Sequence, residues 1–160
     1  MEERVQFASA GLRLSGIFET PPGANGRLRT LLVLHGFGSN KDSAMGKAAA
    51  KLFRSLGYAT LRFDMRGCGE SEGERGRVIC LEQVDDARSA LEYLSTRKDV
   101  DAARIAVFGH SFGAAVAIYA AGVDSRFAAC VVMNYPDSDL SKVWLMLAKV
   151  AGGAIPFASR

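Results

Sequence analysis

Apolar and polar residues alternate at the start of this chain, then the period changes repeatedly, and each change marks an element. Arg4 to Ala8 and Leu12 to Phe18 alternate with a period of two and meet around Ser9 to Gly11, which predicts an opening hairpin. Thr20 to Gly26, rich in Pro, Gly and Asn, reads as a loop. Beyond it the apolar runs become continuous. Arg29 to Leu34, Tyr58 to Phe63, Arg104 to Phe108 and Phe127 to Met133 are β-branched and aromatic, the pattern of strands buried on both faces. Between them lie stretches of helical composition. Asp42 to Leu56 stops at Gly57, Leu81 to Thr96 places Leu81, Val84, Ala87, Leu91 and Leu94 on one face, and Ala114 to Ala121 is small and apolar throughout. Strands alternating with helices predict an α/β fold, a mostly parallel sheet with helices on both faces and sites at the C-terminal ends of its strands.

Composition narrows the classes of function. With 160 residues, 49% hydrophobic and 23% charged, the chain is expected to form one globular domain with a real core. Its net charge of +3 comes from 20 basic and 17 acidic residues scattered along the sequence, which gives no stripe for nucleic acid. No run reaches the roughly 18 apolar residues a membrane span needs, and Met1-Glu-Glu-Arg lacks the apolar stretch of a leader. Cys68, Cys80 and Cys130 are odd in number and widely spaced, which fits reduced thiols, not a disulfide framework or a metal site. No metal, nucleic-acid or membrane partner is expected, and the expected setting is cytoplasmic.

The candidate chemistry begins at Gly109-His110-Ser111-Phe112-Gly113, between an apolar strand and a helix of small residues. A serine at the apex of so tight a turn takes a strained backbone that β-carbons two residues away would obstruct, so Gly109 and Gly113 clear the space. A chance G-x-S-x-G makes only a small-residue turn. A strand before it and a helix after it are the setting of a nucleophile elbow, with free N–H groups and the positive end of the helix dipole facing any oxyanion formed there.

Two further strand ends contribute. In His35-Gly-Phe-Gly-Ser-Asn40 the glycines let the backbone turn sharply, so that the Phe37 N–H can converge with that of Phe112 on one oxygen. A plain glycine turn, with His35 as a structural hydrogen bonder, is the competing reading. Asp64-Met-Arg-Gly-Cys-Gly-Glu-Ser71 reads as a structural loop tied down by Asp64 and Arg66. Gly36-x-Gly38 and Gly67-x-Gly69 also follow strands, but the third glycine of a dinucleotide-binding loop is replaced by Lys41 and Glu72, so no cofactor is expected.

Together HGFGSNK, FDMRGCGESEG and GHSFG resemble the α/β-hydrolase superfamily, on its esterase and serine-aminopeptidase-like side, over roughly Phe7 to Met133. The resemblance implies a serine hydrolase for a small ester or related acyl substrate, with Ser111 as nucleophile and the amides of Phe37 and Phe112 as oxyanion hole. Asn40 and Lys41 would shape the pocket mouth. That family supplies its acid and histidine after the serine. Here the two histidines are His35, before it, and His110, adjacent and expected to point away; Asp137 and Asp139 offer either an acid position or a polar loop. The expectation is therefore a partial hydrolase core over residues 1–139, without the C-terminal strands and catalytic histidine, and an apolar tail over 140–160 whose Leu140 to Val150 starts a lid-like helix. Two functional classes follow: a serine hydrolase working through an acyl-enzyme, and a catalytically silent truncated hydrolase serving as a binding or partner-completed module. The far edge of Phe127 to Met133 is expected to lack a successor and to invite a homo-oligomer or a complementing chain.

Overall fold

The computed structural model of the protein describes residues 1–133 and the short strand Met146–Ala148. Strands β1 (Glu2–Ser9) and β2 (Leu12–Glu19) form the predicted hairpin, closing over Ala10 at φ 48° and Gly11 at φ 81°. Two left-handed residues in a two-residue turn match the right-handed twist of the flanking strands. β3 (Leu28–Leu34), β4 (Ala59–Phe63), β5 (Val100–His110) and β6 (Phe127–Met133) follow, and β7 is Met146–Ala148. The sheet order is β1-β2-β4-β3-β5-β6-β7. β4, β3, β5 and β6 are mutually parallel, and the antiparallel pairings lie at the two sides of this block.

Among the described residues three helices cover the two faces: α1 (Ala44–Ser55), α2 (Cys80–Thr96) and α3 (Phe112–Val123). Successive residues of β3 point to opposite sides of the sheet. Leu32 and Leu34 pack with Leu61 and Phe63 under α2 and α3, which contribute Leu91, Leu94, Val116 and Ala117. Leu31 and Val33 face the other way, toward Ala49 of α1. The Ser43 hydroxyl caps α1 by accepting the Gly46 N–H at 3.1 Å. At the other end Gly57, at φ 83°, donates to the Arg54 carbonyl and Tyr58 to that of Phe53, each at 3.0 Å, a closing motif that needs a left-handed residue.

Three expectations are corrected. Leu81 is 65% exposed, because the buried stripe of α2 runs through Cys80, Val84, Ala87, Leu91 and Leu94, and position 81 lies about 100° around the helix from Cys80. The far edge of β6 does have a neighbour, since β7 pairs antiparallel with Cys130, Val131 and Val132. Of Leu140 to Val150, read as a helix, the described part is that strand, whose backbone satisfies the β6 edge. Asp137 and Asp139 lie outside the described residues. Among the described residues no helix is long and apolar enough to cross a membrane.

Candidate active site

Ser111 sits at the join of β5 and α3 with φ 52° and ψ −125°. Among the described residues Ala10 is the only other non-glycine with positive φ. The strain is held by the surroundings: the Ser111 N–H donates to the Met133 carbonyl at 3.0 Å, and its carbonyl accepts the Ala114 N–H at 2.9 Å. The glycines on either side are dictated by backbone contact. A Cβ on Gly109 would overlap the Gly113 carbonyl, and one on Gly113 would lie 2.5 Å from the His35 oxygen and 2.7 Å from that of Leu34. The end of β3, the end of β5 and the first turn of α3 therefore meet backbone against backbone. Ser111 itself is exposed, and its hydroxyl makes no capping bond to α3.

The loop after β3 lies directly beside it. A Cβ on Gly36 would be 3.4 Å from the Ser111 Cβ and 3.2 Å from the His110 Cε1. The next residue, Phe37, is exposed and meets Phe112 edge-on, with ring centroids 6.1 Å apart at 82°. Neither the Phe37 nor the Phe112 N–H donates to an acceptor among the described residues. Ser111, Phe37, Phe112, Gly109 and Gly113 thus share one patch at the C-terminal ends of β3 and β5.

A buried polar layer holds this patch. Lys41 does not line a pocket mouth as expected: its side chain is 4% exposed, and its Nζ lies 2.6 Å from Asp64 Oδ2 and 2.8 Å from Glu70 Oε2. Burial lowers the Lys41 pKa, but its hydrogen bonds to Asp64 and Glu70 outweigh that and leave it above the ordinary value. The Lys41 N–H also donates to Asp64 Oδ1 at 2.6 Å, while exposed Asn40 accepts the Asp42 N–H at 2.8 Å. A Cβ on Gly69, at φ 47°, would overlap the Asp64 carboxylate, so glycine is required where the loop closes over it. Arg66 donates through N–H, Nε and Nη2 to Asp86 of α2, whose carboxylate also accepts the Ser9 hydroxyl at 2.7 Å. Asp64 and Arg66 tie the loop down as expected; the partners Lys41 and Asp86 carried no signal of their own, because a lysine in a loop and an aspartate on a helix are ordinary surface residues until the topology buries them.

Neither histidine serves Ser111. His35 is buried and its Nε2 accepts the Met65 N–H at 3.1 Å, so its proton sits on Nδ1 and points at the Gly36 carbonyl, 2.9 Å away. Burial holds its pKa below the ordinary value and keeps the ring neutral. The Nε2 of His110 is buried without a partner among the described residues, and burial, followed by the repulsion that a protonated His35 would exert, lowers its pKa as well. No hydrogen bond joins either ring to Ser111 among the described residues, nor does any cluster of three His, Cys, Asp or Glu there suit a metal ion.

The family model described as alpha/beta hydrolase fold matches residues 29–152. An uncharacterized protein of Mycobacterium tuberculosis is 38% identical over 146 residues, which cover 88% of this chain and 49% of that protein. Polyketide transferase ATR5 of Stachybotrys chlorohalonatus is 34% identical over 139 residues, 86% of this chain and 45% of that one. Among solved structures, the alpha/beta hydrolase GrgF from Penicillium sp. sh18 superposes with a TM-score of 0.78 at 30% identity, over 86% of this chain and 47% of GrgF. The chain spans about half the length of the curated relatives it matches. A parallel sheet with helices on both faces, a serine on the turn from β5 to α3, and a family match over residues 29–152 lead to one conclusion: the chain belongs to the alpha/beta hydrolase fold family.

Proposed function

We propose that this chain carries the nucleophile of a serine hydrolase for carboxylic esters or related acyl substrates, with Ser111 attacking and the N–H groups of Phe37 and Phe112 forming the oxyanion hole. The observation that carries the reading is the backbone of Ser111, an exposed serine kept at φ 52° between Gly109 and Gly113, two positions at which a Cβ would run into backbone. A serine with only a structural task has no reason to bear that strain, which costs on the order of 1–3 kcal/mol.

In the reaction, Ser111 Oγ forms a bond to the acyl carbon while the carbonyl electron pair moves onto oxygen. The two N–H donors and the N-terminus of α3 face that negative charge. Collapse of the tetrahedral species expels the alcohol and leaves an acyl-enzyme, which water then cleaves. A second nucleophile in place of water makes the same site an acyl transferase, and the Stachybotrys relative is named a polyketide transferase. The serine proton needs a base. Both His35 nitrogens are committed and His110 is not bonded to Ser111, so the reading assigns the base to the protein outside the described residues. The free thiols of Cys68, Cys80 and Cys130 fit a reducing, cytoplasmic setting.

That no described residue serves Ser111 as a base also favours a second reading, a silent module that keeps the fold and binds an acyl ligand or a partner chain. An alkyl fluorophosphonate probe separates them. Labelling that is saturable and lost in Ser111→Ala supports the nucleophile; no labelling of the folded chain, or equal labelling of both, assigns the chain to the silent class.

A further inference from the structure

The loop carrying Phe37 is fastened at both ends to the segment around the end of β4, and the reaction above makes no use of the fastenings. At its start, His35 Nε2 accepts the Met65 N–H at 3.1 Å. At its end, Lys41 is gripped in three ways: its N–H and its Nζ both donate to Asp64, each at 2.6 Å, and its carbonyl accepts from Arg62 Nη1. Gly36 to Asn40 arch between these points, and the inner side of the arch leans on Ser111 and His110 at Gly36.

These fastenings are out of water. The Lys41 and Asp64 side chains are 4% and 0% exposed, and Arg62 is paired with Glu19 at 3.1 Å with both side chains at 5%. Burying such pairs is a poor route to stability, because desolvation offsets most of the attraction and apolar residues of similar volume do as well or better. A buried pair does define a position. Asp64 takes a third donor, the Glu70 N–H at 2.8 Å, so its carboxylate is held from several directions and holds Lys41 in turn.

We propose that Lys41 and Asp64 are positioning residues: their buried ion pair sets the height of the arch and so aims the Phe37 N–H at the oxygen that develops charge beside Ser111. The inference rests on the role given to Phe37 in the proposed function. Its geometric basis is the close approach at Gly36, where a displacement of about an ångström moves the donor out of line, a change able to cost a hundredfold in rate.

The double variant Lys41→Met with Asp64→Asn removes both charges together, so neither is left buried alone. Two readouts are taken: the order of the Phe37 backbone amide by NMR, with the Leu32 and Val107 amides as internal controls, and the rate of Ser111 labelling by an alkyl fluorophosphonate. Loss of order at Phe37 with the control amides unchanged, and labelling slower by about ten- to a hundredfold, is the expected result. A variant that keeps both the Phe37 order and the labelling rate overturns the proposal, even if its melting temperature falls. Should the variant not fold, amide exchange in the unaltered chain decides: Lys41 and Met65 amides protected well beyond the exposed Gly38 support the fastening, and exchange as fast as Gly38 refutes it. Loss of Phe37 order in the variant, in a protein whose Ser111 the probe never labels, refutes the nucleophile and leaves the fastening standing.

Discussion

Gly113 in the first turn of α3 lies so close to His35 at the end of β3 that a Cβ on it would stand 2.5 Å from the His35 carbonyl oxygen. At this point the strand that ends in the Phe37 loop and the helix that begins after Ser111 meet backbone against backbone.

Alanine at Gly113 or Gly109 is therefore expected to destabilise the fold by about 1–3 kcal/mol or more, since the clash is with carbonyl groups that cannot turn aside. Gly122, also in α3, meets nothing within 4 Å, and alanine there should stabilise by about 0.5–1 kcal/mol. Thermal or urea unfolding of the three variants checks the contrast; equal effects at 113 and 122 would rule out the close packing.

The strain at Ser111 should be releasable. Ser111→Gly is expected to gain about 1 kcal/mol of stability, the relief of a left-handed non-glycine backbone less the entropy of a glycine, while abolishing fluorophosphonate labelling. A melting temperature at or below that of the parent counts against the strained turn.

Asp86 receives the Ser9 hydroxyl and three donors of Arg66 at a fully buried position. Asp86→Ala leaves those donors unpaired and should cost about 3–5 kcal/mol. Denaturant titration measures it, and a cost under about 1 kcal/mol would mean that water replaces the carboxylate.

Burial holds the imidazoles of His35 and His110 below their ordinary value of 6.5. As pH falls through 6.5, the unfolded chain takes up a proton at each ring and the folded chain does not, so the unfolded state binds more protons and stability declines until the lowered native values are reached. The urea midpoint should fall between pH 7 and pH 5, and less steeply in His110→Asn. A midpoint independent of pH in this window would contradict neutral buried rings.

Burial pushes the Cys130 thiol, within β6, up to about 11, whereas Cys68 and Cys80 are half-buried. Iodoacetamide near neutral pH should modify Cys68 and Cys80 in the folded protein and reach Cys130 only after denaturation, counted by mass spectrometry. Early modification of Cys130 would mean that β6 opens readily.

Much of this molecule was legible in periodicity and in glycine placement. The alternation of Arg4 to Ala8 and Leu12 to Phe18, the unbroken apolar runs of the central strands and the stop at Gly57 are local properties, and the elements formed within a few residues of those boundaries. Ser111 was legible for the same reason, since its turn is specified by Gly109 and Gly113 within five consecutive residues. Leu81 was misplaced because it lies at the margin of the stripe that runs through Val84, Ala87, Leu91 and Leu94, and only the packing of the helix on the sheet decides which side of that margin is covered.

The sequence by itself determined the elements, their alternation and therefore the class of fold, because each depends on the rotational period of neighbouring side chains and on backbone freedom at single glycines. Only the tertiary structure decided that Lys41 is buried against Asp64, that Asp86 receives Arg66, that both nitrogens of His35 are committed, and that β7 pairs with β6. Those contacts join residues up to tens of positions apart, and their strength comes from exclusion of water, a condition that exists only once the sheet and its helices have closed around them.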